Sequence, residues 1–268
     1  MKNTPSPRTK SPYLALFFGA LALSFLLSLF ETLLGDPHGL FSLGIRAISA
    51  TAILFLLLSE RMLSLRPRMP LRAPSVFAAM TLIFLVALNN FPFLDLLAGR
   101  TSVSVTPLPL LFYILSSLAT AAFEELLFRG LLFPLVCARL LKREGKRGGR
   151  APFGGLLPPI LLSSAAFSLF HLLNLFTAAP LSVLLQLSYT FGIGILSSLL
   201  YLFTRSLVFP IAFHAIYNFG GLFLSAFGGV NDPALGTILF TTALTLACAC
   251  VSARALVVFA DRTVDFTN

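Results

Sequence analysis

The sequence predicts an all-α, polytopic integral membrane bundle of about eight transmembrane helices, and three observations predict it. Hydrophobic residues make up 57% of the 268-residue chain and charged residues only 11%. The mean hydropathy of +0.93 lies well outside the range of soluble globular domains. Apolar runs long enough to cross a bilayer recur along the whole length. Those runs are continuous rather than alternating, which disfavours a β-barrel and leaves helices as the way to satisfy every backbone group in lipid.

The expected spans are roughly 13–34, 40–62, 75–97, 108–138, 156–176, 180–203, 206–227 and 235–259. The first, Tyr13 to Leu34, follows the basic segment MKNTPSPRTK. It is too long for a signal-peptide core and no good small-residue cleavage site follows it, so it reads as a retained helix. The second carries Arg46 near its outer end, where a long cationic side chain is expected to snorkel. The third follows a loop with four arginines. The fourth contains Glu124, Glu125 and Arg129 within AAFEELLFRG. Pro158 and Pro159 are expected to delay the start of the fifth, which ends on His171 and its neighbours. The sixth has no charged residue, the seventh carries His214 and Asn218, and the eighth closes the set. The expected organisation is a cytoplasmic segment 1–12, a single transmembrane domain 13–259 and a cytoplasmic tail 260–268.

The connections alternate in charge. Lys2, Arg8 and Lys10 precede the first span; Arg61, Arg66, Arg68 and Arg72 fill the second loop; ARLLKREGKRGGR fills the fourth. The odd loops are acidic, uncharged or, around Asp95 and Arg100, balanced. By the positive-inside rule both termini are cytoplasmic. The net charge of +9 is therefore topological bias with anionic-lipid contact, not a nucleic-acid footprint. Cys137, Cys248 and Cys250 sit in apolar helical surroundings and show neither a disulfide framework nor a zinc-knuckle spacing. No repeat relates the two halves, which disfavours an inverted-repeat transporter.

The ionisable groups left inside the spans are Arg46, Glu124, Glu125, Arg129, His171 and His214, joined by Asn218. A charge at the bilayer centre costs roughly 2.5–3.5 kcal/mol on insertion scales, so such groups face the interior, find partners and are functional candidates. Glu125 and Arg129 are four apart in the favourable Glu-before-Arg order and are expected to pair. Glu124 points about 100° away from Glu125. Counted along the helices, Glu124 lies about 22 Å above Arg139, His171 about 22 Å above Leu156, and His214 and Asn218 about 14 and 20 Å above Arg205. Three separate helices thus bring polar groups to a similar depth.

A carboxylate and two imidazoles in a dry interior fit two chemistries. Glu124, His171 and His214 could hold a zinc ion with a position left for water. Without metal, Glu124 could act as base on a water while the histidines and Asn218 orient it or stabilise an oxyanion. The bland readings are a Glu–Arg pair that glues helices and histidines that only hydrogen-bond across the bundle. The FxxxH spacing of Phe167 and His171 carries little by itself among 28 phenylalanines.

Together FEELLFR, FSLFH and HAIYN resemble the CPBP family of intramembrane proteases, the CAAX protease and bacteriocin-processing family also called Abi. Its pattern is EExxxR, then FxxxH, then HxxxN, each on its own membrane helix. The resemblance covers roughly 108–227. It implies a helical bundle with a buried, water-filled cavity and endopeptidase activity on a membrane-associated peptide or lipidated protein. It implies Glu124 as the base that activates water, His171 and His214 flanking that water, and Asn218 in orientation or oxyanion binding. Glu125 and Arg129 would hold the motif in place. The family's metalloprotease label implies Zn2+, while a glutamate-dependent mechanism implies no cofactor; no HExxH helix is present. A non-catalytic binding or immunity protein and a proton-relay transporter are the other classes such a polar cluster fits. Short loops and no organellar targeting segment point to a prokaryotic plasma membrane. No nucleic-acid partner is expected, and the substrate and oligomeric state stay open.

Overall fold

The computed structural model describes residues 11–34, 40–59, 74–140, 153–176, 178–228 and 235–263. Among the described residues every regular element is helical. The elements are α1 (Ser11–Leu34), α2 (Leu40–Ser59), α3 (Pro74–Asn89), α4 (Phe93–Leu97) and α5 (Pro107–Glu125). A π-helical stretch, Leu126–Leu132, carries α5 into α6 (Phe133–Leu140). Then come α7 (Phe153–Phe170), a 3₁₀ stretch His171–Phe176, α8 (Pro180–Thr204), α9 (Val208–Gly221), α10 (Phe223–Phe227) and α11 (Leu235–Thr263).

Each expected span coincides with a helical run, but the runs are not alike. Four are long and apolar enough to cross a membrane: Pro107–Leu140, Gly155–Phe176, Pro180–Thr204 and Leu235–Val257. Shorter apolar helices cover Leu14–Leu26, Leu43–Ser59 and Pro74–Asn89. The third expected span breaks at Asn90–Pro92, where Pro92 cannot continue the hydrogen-bond ladder. The seventh breaks after Gly220 and Gly221, at Leu222. The prolines of the fifth do not delay it: α7 starts at Phe153 and Pro158 and Pro159 lie inside. A helical proline crowds the backbone four residues back. Here those residues are Gly154 and Gly155, glycines in the first turn, where backbone adjustment is easiest. The segment 1–10, the arginine loop 60–73, the GKRGG loop within 141–150 and the tail 264–268 lie outside the described residues, and with them most charges on which the orientation reading rests.

The helix α8 is the hub. Pro180 opens it at the first turn behind an extended Ala179, and it packs on α3, α7, α9 and α11. Of its most apolar window 56% is buried, against 33–39% for the other three long helices, which makes it the central member. Small residues allow this. A Cβ on Gly194 would stand 2.9 Å from both Cα and Cβ of Ser164 on α7, so the two backbones meet there as only small residues permit. Gly194→Ala is expected to destabilise the protein by roughly 1–3 kcal/mol through overpacking. Thermal unfolding in detergent checks it, and a variant melting with the wild type would refute this packing account.

The outer surface fits lipid. Phe55, Ile48 and Leu181 are among many large apolar side chains left exposed. Inside, hydroxyls are turned back onto helix carbonyls, as Ser164 onto Ile160 and Ser198 onto Gly194.

Candidate active site

The site grows from the junction of α5 and the π-helical stretch. Pro107 opens α5 behind an extended Thr106, and the helix runs unbroken to Glu125. Immediately after it the backbone widens to π geometry, a form concentrated at functional sites. Arg129 sits in that stretch and is fully buried, as is Glu125.

Glu125 Oε1 is a three-way acceptor. Arg129 Nη1 donates to it at 3.2 Å, Ser197 Oγ at 3.2 Å and His214 Nδ1 at 2.9 Å. Arg129 Nη2 donates in turn to the Gly194 carbonyl at 2.8 Å. Its Cζ stands 4.5 Å from the centre of the Phe167 ring, a cation–π contact. One buried ion pair therefore joins α5, α7, α8 and α9. It is the expected Glu125–Arg129 pair, with partners the spacing alone did not reveal.

His171 is the first residue past α7. The last turn of a helix leaves carbonyls without a helical donor, and the imidazole Nδ1 meets that of Phe167 at 3.0 Å. A carbonyl only accepts, so Nδ1 carries the proton and the neutral ring keeps its lone pair on Nε2. Asn174 Nδ2 donates to Gln186 Oε1 at 2.8 Å and ties this 3₁₀ stretch to α8. His214 is held by the same logic, with Nδ1 on Glu125. Its Nε2 stands 3.7 Å from Glu124 Oε2, beyond a direct hydrogen bond but close enough for one water to touch both.

Glu124 is 9% exposed, and among the described residues its Oε2 is buried without a hydrogen-bond partner. It lines a cavity of about 270 Å³ together with His171, His214 and Asn218. The four residues expected to converge do so, while Glu125 and Arg129 lie behind them in the protein interior. Phe167, whose motif spacing carried little weight, is the packing centre. Its ring meets those of His171 and His214 nearly edge-on, at 5.0 and 5.5 Å between centroids.

Arg46 differs from expectation. It does not run out to the membrane surface; its Nη1 donates to Thr120 Oγ1 at 3.2 Å, and it lines the same cavity. The pull is the hydroxyl and the polar cavity, which offer hydrogen bonds that a lipid face lacks. Ser24 of α1 and Ser49 of α2 also line the cavity, as do Tyr113, Ser116, Ser117 and Thr120 of α5. Sequence reasoning missed these. The α5 residues had a readable signal, since they recur at helical spacing ahead of Glu124. The serines of α1 and α2 had none.

The donors do not make a metal centre as they stand. Among the described residues no three His, Cys, Asp or Glu side chains are grouped so as to hold an ion. The buried Glu124 Oε2 faces His214 alone at near-contact distance.

The comparison that bears on this geometry is with known families. The family model described as type II CAAX prenyl endopeptidase Rce1-like matches residues 106–220. That stretch is similar to the Rce1-like family. It runs from the start of α5 to the end of α9, so Glu124, Glu125, Arg129, Phe167, His171, His214 and Asn218 all fall inside it. Neither a curated protein nor a solved structure matches the chain. Outside the Rce1-like stretch, α1 and α2 still wall the cavity through Ser24, Arg46 and Ser49.

Proposed function

We propose that this protein is an intramembrane endopeptidase of CAAX type, hydrolysing a peptide bond of a membrane-associated peptide or lipidated protein. The observation that carries the reading is Glu124 Oε2. It is a buried carboxylate oxygen without a protein partner, inside a polar cavity, 3.7 Å from an imidazole nitrogen. A group so placed costs stability and calls for a function.

In this reading a water sits against Glu124 and His214 Nε2. Both histidines present lone pairs on Nε2, because each Nδ1 proton is already donated, to Phe167 O and to Glu125. Glu124 accepts one hydrogen of the water and the histidines share the other, which aims the oxygen lone pair at the substrate. Glu124 takes one water proton as the new C–O bond forms, and the carbonyl becomes an oxyanion. The Asn218 amide is the donor on the cavity wall suited to that charge. Collapse of the intermediate breaks the C–N bond, and the proton held by Glu124 passes to the leaving amine. Atoms and charge balance with water as the only co-reactant. Glu125 is a positioning residue: it fixes the His214 tautomer and is itself fixed by Arg129 and Ser197.

The test is hydrolysis of a farnesylated CAAX-type peptide by the purified full chain in phospholipid vesicles, with products identified by mass spectrometry. The expected result is a single cut with uptake of one water. His171→Ala is expected to slow it by roughly 10²–10⁴-fold. A folded wild-type protein that leaves the peptide intact, or a His171→Ala variant of full activity, would defeat the proposal.

A further inference from the structure

Ahead of Glu124 on α5, Tyr113, Ser116, Ser117 and Thr120 follow at spacings of three and four, and all line the cavity. They form a polar stripe that ends at Glu124, one turn past Thr120. A row of hydroxyls alone defines no ligand. Two further observations do. Glu124 Oε2 is buried and unpartnered at the end of the stripe. Arg46 crosses from α2 to hydrogen-bond Thr120 on the stripe itself. Histidines aside, Arg46 is the cation and Glu124 the anion among the lining residues.

We propose that Arg46 receives the free C-terminal carboxylate of the peptide substrate and so determines where the chain is cut. The assignment rests on the endopeptidase reading above. A peptide carboxylate entering this cavity is stripped of water and meets the charge of Glu124 at short range, in a medium that screens poorly. A cation on the same wall removes both penalties. Guanidinium suits the task better than ammonium, because its planar fork matches the two carboxylate oxygens. The dimensions agree. Thr120, which anchors Arg46, is about 6 Å along the helix axis from Glu124, and an extended peptide advances about 3.3 Å per residue. About two residues therefore span the gap between the attacked carbonyl and the terminal carboxylate. The hydroxyls of the stripe, Thr120 nearest to Glu124, can satisfy peptide N–H and C=O groups that would otherwise be buried unpaired.

The test uses two farnesylated CAAX-type peptides identical except at the end, one a free acid and one a carboxamide, with the full chain in vesicles. The wild type is expected to favour the acid by about tenfold or more in kcat/KM, mostly through KM. Arg46→Gln is expected to bring acid and amide to parity. Arg46→Lys, which keeps the charge but loses the fork, is expected to retain part of the preference. Equal cleavage of the two peptides by the wild type, or a preference that survives in Arg46→Gln, would overturn the assignment. Should neither peptide be cleaved, the endopeptidase reading fails first, and fluorescence anisotropy of the labelled peptides decides the Arg46 assignment separately. Tighter binding of the acid, lost in Arg46→Gln, upholds it. Equal binding of acid and amide overturns it.

Discussion

Glu124→Gln is expected to yield a folded protein that cleaves its peptide roughly 10²–10⁴-fold more slowly, with the loss in kcat rather than KM. Both halves of that result follow from one oxygen. Oε2 of Glu124 holds no hydrogen bond to the protein, so no structural bond is lost when an amide replaces it. Glutamine keeps the volume and can still touch a water. What it cannot do is accept the proton that the water must lose. The contrast with Glu125 is instructive: its Oε2 is unpartnered too, but its Oε1 carries Arg129, Ser197 and His214. Steady-state kinetics in vesicles and a melting curve of the same preparation check the two halves together. A Glu124→Gln protein that is fully active, or one that is inactive only because it has unfolded, would remove Glu124 from the role of base.

Arg129→Met carries the second large effect, on stability rather than chemistry. The pair it belongs to is wholly buried. Removing one member leaves a carboxylate in the interior without its cation, at a cost of about 3–5 kcal/mol. The Gly194 carbonyl loses a donor and the Phe167 ring its cation in the same change. Replacing both members by groups of similar volume removes the uncompensated charge. The double variant Arg129→Met with Glu125→Gln is therefore expected to recover much of the loss. Urea unfolding in detergent measures it. Should the single variant prove as stable as the wild type, the ion pair would not be the tie among α5, α7, α8 and α9.

How much of this was legible in the sequence depends on what each residue needed from its neighbours. The helical runs were legible, because burial in lipid writes itself as unbroken apolar sequence. Glu125 with Arg129 was legible as well, since helical spacing alone brings them together. The convergence of Glu124, His171, His214 and Asn218 followed from depth counting along three helices. Arg46 was read wrongly: its helix position permits snorkelling, and the hydroxyl that captures it belongs to Thr120, 74 residues on. The weight of Phe167 was invisible for a related reason. Only its contact with His171 lies within reach of local spacing; those with Arg129 and His214 reach other helices and leave no trace in periodicity. The π-helical stretch was invisible too, because Leu126–Leu131 is buried on all sides and so has no stripe whose phase could slip.

That last feature shapes traffic. Where α5 is polar on one face, it borders the cavity; from Leu126 to Leu131 every side of the chain is enclosed by protein. Glu124 stands at the boundary, so the cavity stops there instead of running on as a through-channel along this helix. A bond cut beside Glu124 is cut at the closed end, so both products leave past Thr120 and Arg46, along the polar face of α5. Turnover would then be paced by the slower of the two departures.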